Sequence, residues 1–340
     1  MDHSLLRRTL KIVDYESLAA IISLFMLSRG LELSGIFNRV APKIIMLSNG
    51  SESRLLISMI IIVALSSSII MNDTAMFIFI PLILMISKIA QMNVTKAVTL
   101  IAISANVGSA LTPIGNPQNI IIWRTYGIPV HEFVVNMVPY VSVWIVLLLL
   151  FAYVTRTTEP IRTFTMPKIR VNRLLLATSL TLLVMDVILI QLGYAFIGLL
   201  ITSGVLLVVG RETILSLDVV LIAIFALIFV DFRELSYIMA SHKIMPSQIN
   251  PMMSVIMSAG LSQMISNVPA TVLLTSSVKP EWMPLTVGVN LGGTGIIIGS
   301  LANFIAVRIS GISLKDFHKY SLPYFMFAFL FTLVLVLLLF

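Results

Sequence analysis

The chain has no cysteine, which excludes disulfides and thiolate metal ligation. Charge is scarce: Asp, Glu, Lys and Arg make up 11% of residues, against about 25% in soluble domains. Histidine is limited to His3, His131, His242 and His318, which lie at or outside the ends of apolar runs and not at ligand spacing. No G-x4-G-K-[ST] string occurs, so nothing points to ATP as an energy source. A net charge of +7 would point to nucleic acid in a soluble protein. In a chain this apolar, basic loops that obey the positive-inside rule account for it, and no nucleic-acid partner is expected.

What the chain does contain is hydrophobic length. It is 58% hydrophobic, with a mean hydropathy of +1.05. Runs at 134–154, 174–189, 219–230 and 320–340 are bilayer-sized or nearly so. They lack the alternation of a β-barrel strand. The composition predicts an all-α polytopic protein, multi-pass in the cell membrane, with the lipid bilayer as its surroundings. The first apolar run follows Arg7, Arg8 and Lys11, as a signal peptide would. It continues through Arg29-Gly30-Leu31-Glu32 without a small-residue cleavage site, so it reads as a retained membrane segment.

Two polar, glycine-bearing strings interrupt the apolar runs, and they match. Asn106, Gly108, Gly115 and Asn119 form N-x-G-x6-G-x3-N, and Asn290, Gly292, Gly299 and Asn303 repeat it 184 residues later. Asp14, Ala19, Phe25, Arg29 and Leu31 match Asp218, Ala223, Phe229, Arg233 and Leu235 at an offset of 204. Asn72 and Ala75 match Asn267 and Ala270 at an offset of 195. Three blocks in one order predict a duplicated unit, residues 1–165 and 166–340. Each unit holds a first span, a hairpin broken at its centre (55–87 and 251–278), a broken span (97–124 and 284–308) and a clean final span. The second unit carries two extra scaffold spans near 174–191 and 194–209. The expected architecture is an inverted-repeat transporter with about eight crossings, two re-entrant hairpins and two broken helices. Placing the 156–173 loop in the cytoplasm puts Lys and Arg two to one on that side.

Backbone that turns inside a membrane must be satisfied by protein, water or ligand. The first hairpin tip offers Asn72, Asp73 and Thr74, and the second offers Ser266, Asn267 and Thr271. These residue types also cap helices, and the two roles are compatible. Asp73 is an acid in the middle of an apolar hairpin, a costly placement that marks a functional residue by default. Burial favours its neutral form, which suits a proton carrier; a nearby cation favours its charged form, which suits a sodium ligand. The residues alone leave both open. Pro113 and Pro117 break the first long span and free carbonyls near Thr112, while the helix resuming near Gln118 presents a positive dipole end. Asn106, Ser109, Thr112, Asn116 and Asn119 in one break, and Asn290, Thr294 and Asn303 in the other, are therefore candidate ligands. A sodium position near Asn72, Asn106 and Thr112 follows from the same logic. Close packing through small residues accounts equally for Gly292, Gly293 and Gly295. Asp186, Gln191 and Asp231 read as structural pairing or snorkelling residues.

At these residues the chain resembles the ion transporter superfamily, in particular its arsenite-permease, NhaD-type and YbiR-like anion-transporter branch. The resemblance is carried by Asn72-Asp73-Thr74-Ala75, by Ser104 to Ser109 and by Thr112-Pro113-Ile114-Gly115-Asn116-Pro117-Gln118-Asn119. With Ser266-Asn267 and the 290–303 block it covers most of the chain. It implies a homodimeric carrier with a scaffold and a moving transport domain, and elevator-like alternating access with substrate held between hairpin tips. The chain looks short at its N-terminus beside such carriers, which implies a reduced scaffold. Sodium–dicarboxylate relatives carry Ser-Asn-Thr at both tips, and this chain departs from them with Asn72-Asp73-Thr74 and Ser266-Asn267-Val268. The expected function is secondary active transport of a small ion, inorganic or organic, foremost an arsenite-type oxyanion. No cofactor is expected beyond H⁺ or Na⁺ as coupling ion, with Asp73 as the coupling acid. Na⁺/H⁺ antiport is the second reading and an ion channel the third. An intramembrane enzyme ranks last, because Asp73 has no acidic partner in the second hairpin.

Overall fold

A computed structural model describes residues 13–36, 51–90, 92–155, 170–241 and 249–339. Among them every regular element is a helix. The first half contains α1 (Tyr15–Leu33), α2 (Glu52–Ser67), α3 (Asn72–Ala90), α4 (Val94–Ser109), α5 (Pro117–Tyr126) and α6 (Val130–Val154). After it come α7 (Arg173–Gln191), α8 (Ala195–Val209) and the short α9 (Glu212–Leu215). The chain closes with α10 (Val219–Ser241), α11 (Pro251–Ile265), α12 (Asn267–Ser277), α13 (Trp282–Gly292), α14 (Leu301–Ser310) and α15 (Leu314–Leu339). His3 and His242 fall outside the described residues, as do Arg7, Arg8 and Lys11.

The helices α6, α7 and α15 are long and apolar enough to cross a membrane alone, at mean hydropathy 2.3, 2.1 and 2.6. Their exposed side chains are apolar: Val146 and Leu150 on α6, Val184 and Ile188 on α7, Leu337 and Leu338 on α15. Water would penalise so wide an apolar surface, and acyl chains do not. Of the remaining expected crossings, α1 (19 residues) and α10 (23 residues) are long enough but each carries at least three charged residues, and the others rest on shorter or interrupted helices. At 1.5 Å per residue the arms α11 (15 residues) and α12 (11 residues) reach only about 22 and 17 Å, short of about 30 Å of hydrocarbon.

Proline and asparagine set the breaks. The chain leaves α4 at Ser109 and re-enters a helix at Pro117, whose fixed φ suits a first helical position. Asn116 caps α5 by accepting the Asn119 amide at 2.9 Å. In the second half no proline is available. There Gly293 to Ser300 makes the break, with one 3-10 turn inside it, and Ser300 caps α14.

The two hairpins enter from opposite ends of α6. Lys96, in the first turn of α4, donates to the Thr155 carbonyl just past the C-terminus of α6 and pairs with Glu52 at the base of α2. The charge pattern alone treats Lys96 as a loop cation; the structure buries it in this contact. Trp282, which opens α13, instead stacks on Phe133 near the N-terminus of α6, with ring centroids 5.7 Å apart. Helix α2 lies along α4 and α11 along α13, so each hairpin's first arm packs on the first half of its own broken helix. Helix α1 is held by α7 and α8. Gln191, at the end of α7, accepts from Trp123 Nε1 at 3.1 Å and from the Val130 amide at 3.0 Å, a structural role as expected. Asp186 is buried and accepts from Ser23 Oγ at 2.6 Å, joining α7 to α1.

Candidate functional site

Asparagines from both halves interlock at the centre. Asn106 donates to Asn303 Oδ1 at 2.8 Å, and Asn290 donates to Asn119 Oδ1 at 2.7 Å. These are one bond seen from either half, because both pairs carry the same offset. The match extends outward. Ser300 donates to Asn106 Oδ1 at 2.9 Å, as Asn116 does to Asn290 Oδ1 at 2.8 Å. Asn303 donates to the Gly293 carbonyl at 2.8 Å, as Asn119 does to the Ser109 carbonyl at 3.2 Å. Every residue in this lattice is buried. It replaces the hydrogen bonds that two unwound helices would otherwise lack in a low-dielectric interior.

The glycines of the N-x-G strings serve packing. A Cβ on Gly108 would overlap the Ala64 backbone, and one on Gly292 would meet Ser262 Cβ at 2.5 Å. Asparagine thus joins the two halves while glycine lets the hairpin approach, which explains their fixed spacing.

Each hairpin tip is tied to its break. The Asn72 amide donates to the Gly115 carbonyl at 3.0 Å, and Asn72 Nδ2 donates to Asn106 Oδ1 at 2.9 Å. Thr112 Oγ1 donates to the Ser68 carbonyl at 2.6 Å. In the second half the corresponding tie comes from Gln263, which donates to the Gly292 carbonyl and accepts the Ile296 amide at 2.6 Å. Sequence reasoning passed over Gln263, because a single Gln on an otherwise apolar helix carries no spacing signal.

A cavity of about 300 Å³ lies between the tips. Its polar lining is Asn72, Asp73, Gln118, Ser266, Asn267 and Ser300, and its apolar wall comes from α10 through Leu221, Ile224, Phe225 and Ile228. These polar residues are the caps or first-turn residues of α3, α5, α12 and α14. Four helix N-termini therefore end at one cavity. Among the described residues, Asp73 is the cavity's one formally charged side chain. Its carboxylate has no hydrogen-bond or ion-pair partner among the described residues, and the side chain is 3% exposed. Asn267 keeps its amide NH₂ unpaired and Gln118 its Oε1, again among the described residues.

Of the sequence candidates, Asn72, Asp73, Ser266 and Asn267 line this cavity, and Thr74 lines a neighbouring one. Asn106, Ser109, Asn116, Asn119, Asn290 and Asn303 stand behind it in the lattice. Thr271 and Thr294 bond carbonyls of their own segments, Asn267 and Leu291. The Thr112 carbonyl, expected to be free for a cation, accepts Asn119 Nδ2 at 2.9 Å. Gln118 and Ser300 are the cavity-lining residues missed; their place at the start of the helix after each break was the available signal. Ser266 adopts φ 76, ψ 155, a region that costs a residue with a Cβ about 1–3 kcal/mol. Ser266→Gly is accordingly expected to raise thermal stability in detergent. Asn106→Ala and Asn290→Ala should each lower it, by about 1–3 kcal/mol per stranded buried group at most; thermal unfolding read by tryptophan fluorescence checks all three.

A citrate-transporter family model, CitMHS, matches residues 5–280. The chain belongs to the CitMHS family of membrane transporters. Among similar CitMHS-related proteins is the inner membrane protein YbiR of Escherichia coli, 31% identical over 96% of this chain and 89% of that one. An uncharacterized transporter of Methanocaldococcus jannaschii is 30% identical over 88% of this chain and 82% of its own. A putative transporter arsB of Dictyostelium discoideum is 30% identical over 36% of this chain and 22% of that one. Among solved structures, the YdaH transporter of Alcanivorax borkumensis superposes with a TM-score of 0.53 at 13% identity, covering 99% of this chain and 88% of that chain. That likeness concerns the fold alone. The family match and the two long alignments bear out the superfamily resemblance read from the 72–75, 104–119 and 290–303 strings.

Proposed function

We propose that this CitMHS-family chain is a secondary active transporter of a small anion or oxyanion, coupled to H⁺ or Na⁺ at Asp73. The observation that carries the reading is the convergence of four helix N-termini on one cavity whose single formal charge, among the described residues, is Asp73. Each N-terminus acts as about half a positive charge, which favours an anion without any Lys or Arg. An ionised Asp73 opposes that anion: two like charges 4 Å apart repel by about 4 kcal/mol at an effective dielectric of 20. Anion binding is therefore strengthened when a proton or a cation neutralises Asp73. That dependence is itself a coupling device, since substrate and coupling ion load together.

An inverted-repeat carrier, with repeats 1–165 and 166–340 and a scaffold and a moving transport domain working in an elevator-like cycle, fits this reading. Its support is the entry of the hairpins from opposite ends of α6 and the matched lattice. A multi-pass homodimer in the cell membrane is part of the proposal, and no enzymatic step is assigned to it. The test is a thermal-shift screen of purified protein against arsenite, phosphate, sulfate, citrate and Na⁺, followed by proteoliposome uptake. Stabilisation by an oxyanion, and uptake that needs H⁺ or Na⁺ and shows counterflow, would support the reading. Na⁺/H⁺ antiport remains a second reading because the Asp73 carboxylate is unpartnered among the described residues. Dissipation of a pH gradient by Na⁺ alone would favour it.

A further inference from the structure

Asp73 stands in the wall between two cavities. The second, of about 240 Å³, shares only Asp73 and Leu221 with the first. Its other charged residues are Arg29 and Glu32 from α1 and Asp218 at the start of α10. Ser216 and Asp218 are exposed, so this vestibule reaches the protein surface beside α9. That is the side on which the Asn172 amide meets the Ser34 carbonyl at 2.9 Å, and on which Arg211 lies. Arg29 is engaged by Glu32 at 2.5 Å and by Ser216 Oγ at 3.0 Å. Asp218 caps α10 by accepting the Leu221 amide at 2.9 Å. At the opposite end of the same helix pair, Asp14 caps α1 and also receives Arg233 at 3.4 Å. Three carboxylates against one guanidinium leave the vestibule negative, and a negative cleft with apolar walls concentrates cations.

From this geometry we infer that the coupling cation reaches Asp73 through the vestibule of Glu32 and Asp218, separate from the cavity that holds the anion. The inference rests on the transport reading above and deepens it, giving Asp73 one face toward each solute. Two routes let the cation neutralise Asp73 without displacing the substrate. Glu32 and Asp218 repel anions from this entrance, and the ion pair with Glu32 offsets the attraction that Arg29 would otherwise exert on them. Among the described residues lining either cavity, the carboxylates are Glu32, Asp73 and Asp218, so these are the cavity groups from which a cation dependence can arise.

The absence of native cysteine makes a direct test simple. Thr74 lines the vestibule and is 5% exposed. A Thr74→Cys variant is expected to react with a small cationic methanethiosulfonate, applied from the Arg211 side, roughly fivefold or more faster than with an anionic one of similar size. Adding Glu32→Gln and Asp218→Asn should erase that preference. In proteoliposomes the same pair, on the native background, should raise the half-saturating proton or sodium concentration about fivefold. Protection of the Thr74→Cys thiol from both reagents, or equal rates with both, would overturn the inference, as would unchanged cation dependence in the paired variant. Cation-selective labelling in a protein that shows no coupled uptake would keep the vestibule and reject the transport reading, so the two fail separately.

Discussion

Asp73→Asn is expected to abolish gradient-driven accumulation of substrate while leaving exchange of bound substrate intact. Asparagine is nearly isosteric but cannot take up or release a proton at working pH. With Asp73 ionised, the cavity disfavours an anion until a cation arrives; with Asn in its place the four N-termini bind the anion unaided. Binding then no longer depends on the cation, and the gradient has nothing to act upon. Accumulation ratios should fall by about tenfold or more, since losing one cation's contribution of about 1.4 kcal/mol already gives that factor. Equilibrium exchange in proteoliposomes should continue, and substrate affinity should lose its pH or sodium dependence. An Asp73→Asn protein that still concentrates substrate with native pH dependence would remove Asp73 from the mechanism.

Gly108→Val should have the largest effect on folding. Helix α4 passes the first hairpin so closely that a Cβ on Gly108 would overlap the carbonyl, Cα and C of Ala64. The obstacle is backbone, not a side chain that can rotate away. Relief requires α2 and α4 to separate, and that separation would strain the Asn72–Asn106 and Thr112–Ser68 ties. A cost of about 3 kcal/mol or more is expected, at the upper end for overpacked cores. Gly108→Ala should be milder but of the same sign. Loss of a monodisperse peak in detergent, with a lowered unfolding temperature, is the expected result; a Gly108→Val protein as stable as the native one would mean the helices have room the structure does not show. Gly127 offers the contrast. It ends α5 at φ +64 with nothing within 4 Å of a built Cβ, so Gly127→Ala is strained only by its backbone angle.

Much of this was readable from composition and spacing, for identifiable reasons. Hydropathy is additive along a chain, so the membrane class and the long helices α6, α7 and α15 follow from residue type alone. Proline and glycine act locally, so the breaks near Pro113–Pro117 and after Gly292 fall where they were expected. Asp73 was conspicuous because an acid in an apolar hairpin is costly wherever the hairpin sits. The cavity lining was less legible. Asn106, Asn116, Asn119, Asn290 and Asn303 look from spacing like ligands of an open site. They bond one another across the two halves instead, and leave the cavity to first-turn residues such as Gln118 and Ser300.

By itself, then, the sequence determined a helical membrane chain with two matched interruptions and an acid at one hairpin tip, because each of these is a property of residues and their neighbours along the chain. Only the tertiary structure decided which amides pair with which, that four N-termini share one cavity, and that Asp73 faces two. Those are distances between segments nearly two hundred residues apart, and no periodicity along a single helix encodes them.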